Sequence, residues 1–151
     1  MSGASRLRVP LLMFIALVVV GAIAFAVRSR GGGPPTVTEV PRTLPASGVA
    51  VNNLIDLKPL LQAPAHALSK AAAIAAARNY GVKHRYPARA MEAAATISGD
   101  PHLQSTPAWV VTFTYPKPVN VSQAKTPVLV THDTILVDAT TGKFLLGFFT
   151  K

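Results

Sequence analysis

The feature that most constrains this chain is an apolar run near its N-terminus. From Val9 to Val27, 19 residues pass without a charged side chain. As an α-helix the run would be roughly 28 Å long, close to the hydrocarbon thickness of a bilayer. Arginines stand on both sides of it. The run predicts a single transmembrane helix over residues 9–27, with the lipid bilayer as its partner.

A cleaved signal peptide is the alternative, because Ala24-Phe25-Ala26 has the small-x-small pattern of a cleavage site. The length of the run and the arginines that follow it favour an uncleaved signal-anchor. Residues 1–8 then form a short cytoplasmic tail, and the C-terminal domain is expected to lie outside the cytoplasm at the cell membrane.

Two segments of different composition follow the apolar run. Residues 28–48 are rich in Gly and Pro, which is typical of a linker. Residues 49–67 form an apolar arm that Pro59 interrupts. This arm either packs on the domain that follows or is an exposed docking segment for a partner.

Residues 68–151 carry the signals of a folded domain. Ser69 is a good N-cap and precedes a run of alanines, so a helix is expected over residues 69–80. Residues 88–98 alternate like a strand, but their alanine content favours a helix. Helix and strand therefore both stay open for this segment. Alternating or continuous apolar residues predict three strands: Trp109–Tyr115, Ile135–Val137 and Phe144–Phe149. Pro116 and Pro118 are expected to end the first of them.

A turn joins the last two strands into a hairpin. It contains Asp138, Thr141, Gly142 and Lys143, and Gly142 is expected at positive φ because the chain must reverse within a few residues. The segment from Ile135 to Lys143 reads Ile-Leu-Val-Asp-Ala-Thr-Thr-Gly-Lys.

With Leu68-Ser69 before the Ala-rich helix and the aromatic strand, this segment resembles the strand-and-turn signature of PepSY-type domains. The resemblance implies an α+β fold in which one Ala-rich helix packs on an antiparallel sheet of about three to four strands. It also implies a location outside the cytoplasm and a role in modulating peptidases or in the cell envelope. The family brings no established catalytic residues.

Catalytic and metal-binding patterns are missing from the sequence. The chain has no Cys, its four His residues are scattered, and it contains no nucleophile or phosphate-loop motif. We therefore expect no enzyme activity, no cofactor and no metal site.

The chain is basic, with 15 Lys and Arg against 6 Asp and Glu. Four cations cluster at the predicted helix end and beyond it: Arg78, Lys83, Arg85 and Arg89. They either solubilise a helix C-terminus or form a patch for an anionic partner. Nucleic acid is not expected, because the aromatic residues lie in a core-like strand and are not interleaved with these cations.

The sequence favours a single-pass, membrane-anchored binding or regulatory domain for a peptide, a peptidase or an envelope component. A second hypothesis is an accessory subunit of a membrane complex that docks through its transmembrane helix. An envelope hydrolase is a third class, for which the sequence shows no site.

Overall fold

The computed structural model describes residues 36–80, 86–123 and 125–151. They form seven β-strands and one α-helix, in the following chain order: β1 (Thr36–Val37), β2 (Val49–Val51), β3 (Ile55–Pro59), α1 (Lys70–Arg78), β4 (Ala88–Ile97), β5 (Thr106–Asn120), β6 (Leu129–Asp138) and β7 (Phe144–Thr150).

The strands make one sheet whose spatial order is the chain order, from β1 to β7. β1 and β2 are parallel, and each later neighbouring pair is antiparallel. Asn52 and Asn53 turn the chain between β2 and β3 with φ of 53° and 57°. Asn tolerates this left-handed region better than most residues, so the pair suits a tight hairpin turn.

The expected α+β class with a sheet of about three to four strands is wrong. The described residues form a seven-stranded, mostly antiparallel sheet, and α1, with nine residues, is the α-helix among them. The additional strands come mainly from the segments expected to be linker and arm, which supply β1, β2 and β3. Residues 88–98, for which two structures were open, contain strand β4.

The first predicted strand is also longer than expected. β5 continues past Pro116 and Pro118 to Asn120, because the register between β5 and β6 shifts between Thr114 and Val119. A bulge of this kind tolerates proline, which has no N–H to donate to a neighbouring strand.

The predicted transmembrane helix at residues 9–27 lies outside the described residues. Within the described ranges, no helix has both the length and the apolar character needed to cross a membrane.

Helix α1 begins where the sequence predicts it. The Ser69 hydroxyl accepts a hydrogen bond from the Ala72 N–H at 3.2 Å, as an N-cap does. Ala73 and Ala77 are fully buried against the sheet. The indole N–H of Trp109 on β5 donates to the Leu68 carbonyl at 3.1 Å, which ties the start of the helix to the sheet.

The sheet has two apolar faces. We call the face under α1 the helix face; its core contains Trp109, Val111 and Ile135 together with the helix alanines. The opposite face is the inner face, and the segment between β1 and β2 covers part of it, with Val40 1% exposed. Helix α1 therefore packs on one face of the sheet, and the segment between β1 and β2 packs on part of the other.

Candidate binding site at the free edge of the sheet

β7 is the last strand of the sheet, and no strand of the described residues pairs with its outer edge. Its seven residues, Phe-Leu-Leu-Gly-Phe-Phe-Thr, include no charge and no proline. The outer edge of a strand presents unpaired backbone N–H and C=O groups that can pair with another extended chain.

The other free edges in the described residues are shorter or obstructed. β1, at the far side of the sheet, has two residues. The hairpin of β5 and β6 extends beyond its neighbours. β4 pairs with β5 only as far as Phe113, and β7 pairs with β6 only as far as His132. We call residues 115–123 and 125–131 the β5–β6 arm. It carries exposed Pro116, Lys117 and Pro118 at its bulge, and Pro, Lys and bulges are common protections against edge pairing.

An apolar cavity of about 160 Å³ lies beside the β7 edge. We call it the edge cavity. Ile55 of β3 and Phe148 of β7 line the same space although β4, β5 and β6 stand between these strands, so the sheet curls strongly. The complete lining consists of Asn52, Leu54, Ile55, Ile97, Ser98, Leu146, Gly147 and Phe148.

An aromatic pair lies near the start of β7. The rings of Tyr80, just after α1, and Phe144 are 5.3 Å apart, and these residues are 41% and 40% exposed. The Phe144 ring also covers Gly147, because a Cβ atom at Gly147 would meet two of its carbons at 3.4 and 3.6 Å. The β7 edge is thus bordered by partly exposed apolar surface.

The predicted turn before β7 is formed as expected. Gly142 has φ of +70°, which confirms the predicted positive value. The Gly142 N–H donates to the Asp138 carbonyl at 3.0 Å, and the Asp138 N–H donates to the Lys143 carbonyl at 2.8 Å. The Asp138 carboxylate accepts from the Thr140 N–H, and from both the N–H and the hydroxyl of Thr141.

These contacts set the pKa of Asp138. Partial burial raises the pKa, but the hydrogen bonds from Thr141 and Thr140 and the charge of Lys143 outweigh it, so the pKa lies below its ordinary value. The carboxylate thus holds the turn at neutral pH and lies beside the Lys143 ammonium.

The structure separates the two described cations of the predicted patch. Arg78 is exposed in the last turn of α1, on the helix face. Arg89 of β4 lies on the inner face, where its guanidinium donates to the Val40 carbonyl and lies 3.6 Å from a Glu39 oxygen. Lys83 and Arg85 lie outside the described residues.

Sequence reasoning missed the polar cluster that Arg89 joins. The same Glu39 oxygen is 3.7 Å from Nε2 of His132 on β6. Glu39, Arg89 and His132 are far apart in the sequence, and no local pattern indicates their contact. The cluster holds the segment after β1 over the inner face, which is a structural role.

A buried tyrosine, Tyr115, lies on the helix face, beyond α1. The Tyr115 ring packs edge-on against Tyr86, with centroids 5.0 Å apart. Burial raises the pKa of Tyr115 well above its ordinary value, and the nearby Asp133 carboxylate and Tyr86 add to the rise. The described residues offer its hydroxyl no hydrogen-bond partner.

The described part of the chain contains no group of three or more His, Asp or Glu side chains that could hold a metal ion. Comparisons with protein-family models, with curated proteins and with solved structures find no match. The PepSY resemblance stays a prediction that depends on the quoted motif and on the helix that precedes it.

Proposed function

We propose that this protein is a membrane-tethered, extracytoplasmic domain that binds an extended segment of a membrane or envelope protein by strand addition to β7. The observation that carries the proposal is the uncharged, proline-free outer edge of β7 beside the edge cavity. In strand addition, backbone hydrogen bonds supply affinity and pockets for alternate side chains supply specificity.

The contrast between edges supports this choice of site. In the β5–β6 arm, proline, lysine and a register shift interrupt the pairing edge. β7 is longer than β1 and contains neither proline nor lysine, and its own register shift against β6 is confined to its start, at Leu145. A free edge that lacks proline and charge is expected either to aggregate or to have a partner.

The short segment between the apolar run and β1 supports a membrane or envelope protein as the partner. If the apolar run ends at Val27, eight residues remain before β1 begins at Thr36. Eight residues span at most roughly 28 Å when extended. A domain held this close to the bilayer meets membrane proteins and the nearest layer of the envelope. The proposed function is noncovalent binding of such a partner.

The test uses the full-length chain in lipid nanodiscs and a random library of seven-residue peptides. Ser98 is exposed at the rim of the edge cavity, so Ser98→Trp should fill the cavity without disturbing the core, and Ser98→Ala is the matched control. We expect selected peptides to bind the wild type and Ser98→Ala, and to bind Ser98→Trp at least about tenfold more weakly.

N-methylation of the peptide tests the backbone pairing without changing the protein. Alternate residues of an added strand point their N–H groups toward β7. Methylation of one alternate set should abolish binding, and methylation of the other set should leave it nearly unchanged. If no peptide is selected, or if the selected peptides tolerate both patterns, strand addition is refuted.

A further inference from the structure

Charged groups border both ends of the proposed binding edge, and they have the same sign. Lys143 precedes β7 and Lys151 follows it, and both are exposed. Between them lie seven uncharged residues. A strand paired along the whole of β7 would therefore have its centre beside uncharged residues and each end beside a lysine.

We infer that the segment bound by β7 has an apolar anchor side chain at its centre and an acidic residue at each end. This inference rests on the proposed strand addition and names the chemistry of its partner. The edge cavity, at about 160 Å³, receives the anchor, and its apolar walls of Leu54, Ile97 and Phe148 favour Leu, Ile or Phe. The terminal carboxylates lie opposite Lys143 and Lys151.

The chain's own acidic residues near β7 do not replace an acidic partner for the two lysines. Asp138 lies beside Lys143, but its carboxylate already accepts three hydrogen bonds from Thr140 and Thr141 within the turn. Asp133 is opposite Phe149 in the register and is buried, 4% exposed. The chain as a whole carries a formal charge of +9, which also favours an acidic partner.

A second copy of the chain is a poorer occupant of the same edge. Antiparallel self-pairing with maximal overlap is centred on Gly147, the middle residue of β7. It would place Lys143 of one copy opposite Lys151 of the other, and like charges directly opposite each other destabilise a strand pair. The same two lysines that repel a second copy attract an acidic segment.

The experiment measures binding of designed peptides to the full-length chain in nanodiscs by fluorescence anisotropy. One peptide has Phe at its centre and Glu at both ends, a second has Lys at both ends, and a third has Ala at the centre. We expect the Lys peptide to bind about fivefold more weakly per end. The Ala peptide should bind about tenfold more weakly, because it leaves the edge cavity unfilled.

Charge reversal in the protein makes the assignment specific. Lys143→Glu with Lys151→Glu should reverse the preference, so that the Lys peptide binds more tightly than the Glu peptide. Lys58→Glu is the control, since Lys58 is exposed on β3 and is not among the residues that line the edge cavity. It should change the affinities of both peptides by a similar factor.

The failure of this inference differs from the failure of strand addition. If peptides bind with the expected N-methylation pattern but their end charges have no effect, the acidic partner is refuted and strand addition stands. Self-pairing with a second copy is tested with Gly147→Cys, because the natural chain has no cysteine and the new thiol is then the only one. A disulfide-linked dimer of that variant in proteoliposomes would overturn the inference in favour of self-pairing.

Discussion

Gly142 couples the last hairpin to helix α1, and substituting it should cost more than backbone strain alone. Its φ of +70° is unfavourable for any residue with a Cβ atom, by about 1–2 kcal/mol. A Cβ atom at this position would also meet Ala76 Cβ and Leu68 Cδ1, each at 3.1 Å. The Leu68 side chain can rotate, but Ala76 can move away only with α1 itself.

The two costs can be separated because the chain contains a second glycine at positive φ. Gly99 has φ of +86°, and a Cβ atom there would meet nothing within 4 Å. Gly99→Ala should therefore cost about 1 kcal/mol from the backbone alone. Gly142→Ala should cost about 2–3 kcal/mol, because overpacking adds to the same strain.

The side chain at position 142 should follow a definite order. Gly142→Val should cost more than Gly142→Ala, since a branched side chain adds bulk against Ala76. Gly142→Asn should cost less backbone strain than Val, because Asn enters the left-handed region more readily. Ala76→Gly should recover part of the loss in the Gly142→Ala background, although glycine within a helix costs about 1 kcal/mol by itself.

The assay is chemical denaturation of residues 36–151, followed by fluorescence. Trp109 is the single tryptophan, and its contact with the Leu68 carbonyl makes it a reporter of helix docking. A double-mutant cycle between positions 76 and 142 gives the coupling free energy. The reasoning is refuted if Gly142→Ala and Gly99→Ala cost the same and the coupling between positions 76 and 142 is zero.

Three further predictions concern the rest of the fold. A fragment of residues 68–151 lacks β1–β3 and should show no cooperative melt by circular dichroism, whereas residues 36–151 should melt cooperatively; equal melts would contradict this. The lowered pKa of Asp138 gives stability that is present above its ordinary value of 3.8 and is lost as the pH falls through the folded pKa. Asp138→Asn should therefore flatten the pH dependence of the unfolding free energy in that acid range; an unchanged profile would show that the carboxylate adds nothing. Arg89→Met should speed amide exchange in residues 38–44 by releasing the Val40 carbonyl, and Glu39→Gln should do so less, as hydrogen–deuterium exchange would show.

Local chemistry made some elements predictable. The Ser69 cap and the alanines that follow it act within one helical turn, so α1 is close to the predicted span. The turn before β7 likewise depends on Asp138 and Gly142, which are neighbours in the sequence. For these elements the decisive contacts join residues at most a few positions apart.

The rest of the fold depends on pairing between distant residues. β3 pairs with β4 through contacts such as Ile55 with Ile97, and no pattern within residues 55–59 identifies that partner. The apolar run at Phe144–Phe149 predicts a strand, but the position of β7 at the edge of the sheet follows from the order of all seven strands. The edge cavity also depends on the curl that brings Ile55 near Phe148. The candidate site was therefore beyond the reach of sequence patterns.

The difference between the two long edges leads to a final prediction, which concerns the β5–β6 arm. If Pro116, Lys117 and Pro118 protect this edge, replacing all three with Thr restores backbone donors, removes a charge and raises strand propensity. The variant should self-associate at concentrations where the wild type does not, as sedimentation velocity of residues 36–151 would show. Lys117→Thr alone is the matched control and should associate less, because both prolines still interrupt the ladder. If the triple variant behaves like the wild type, the arm needs no protection, and the contrast that singles out β7 as the binding edge loses its force.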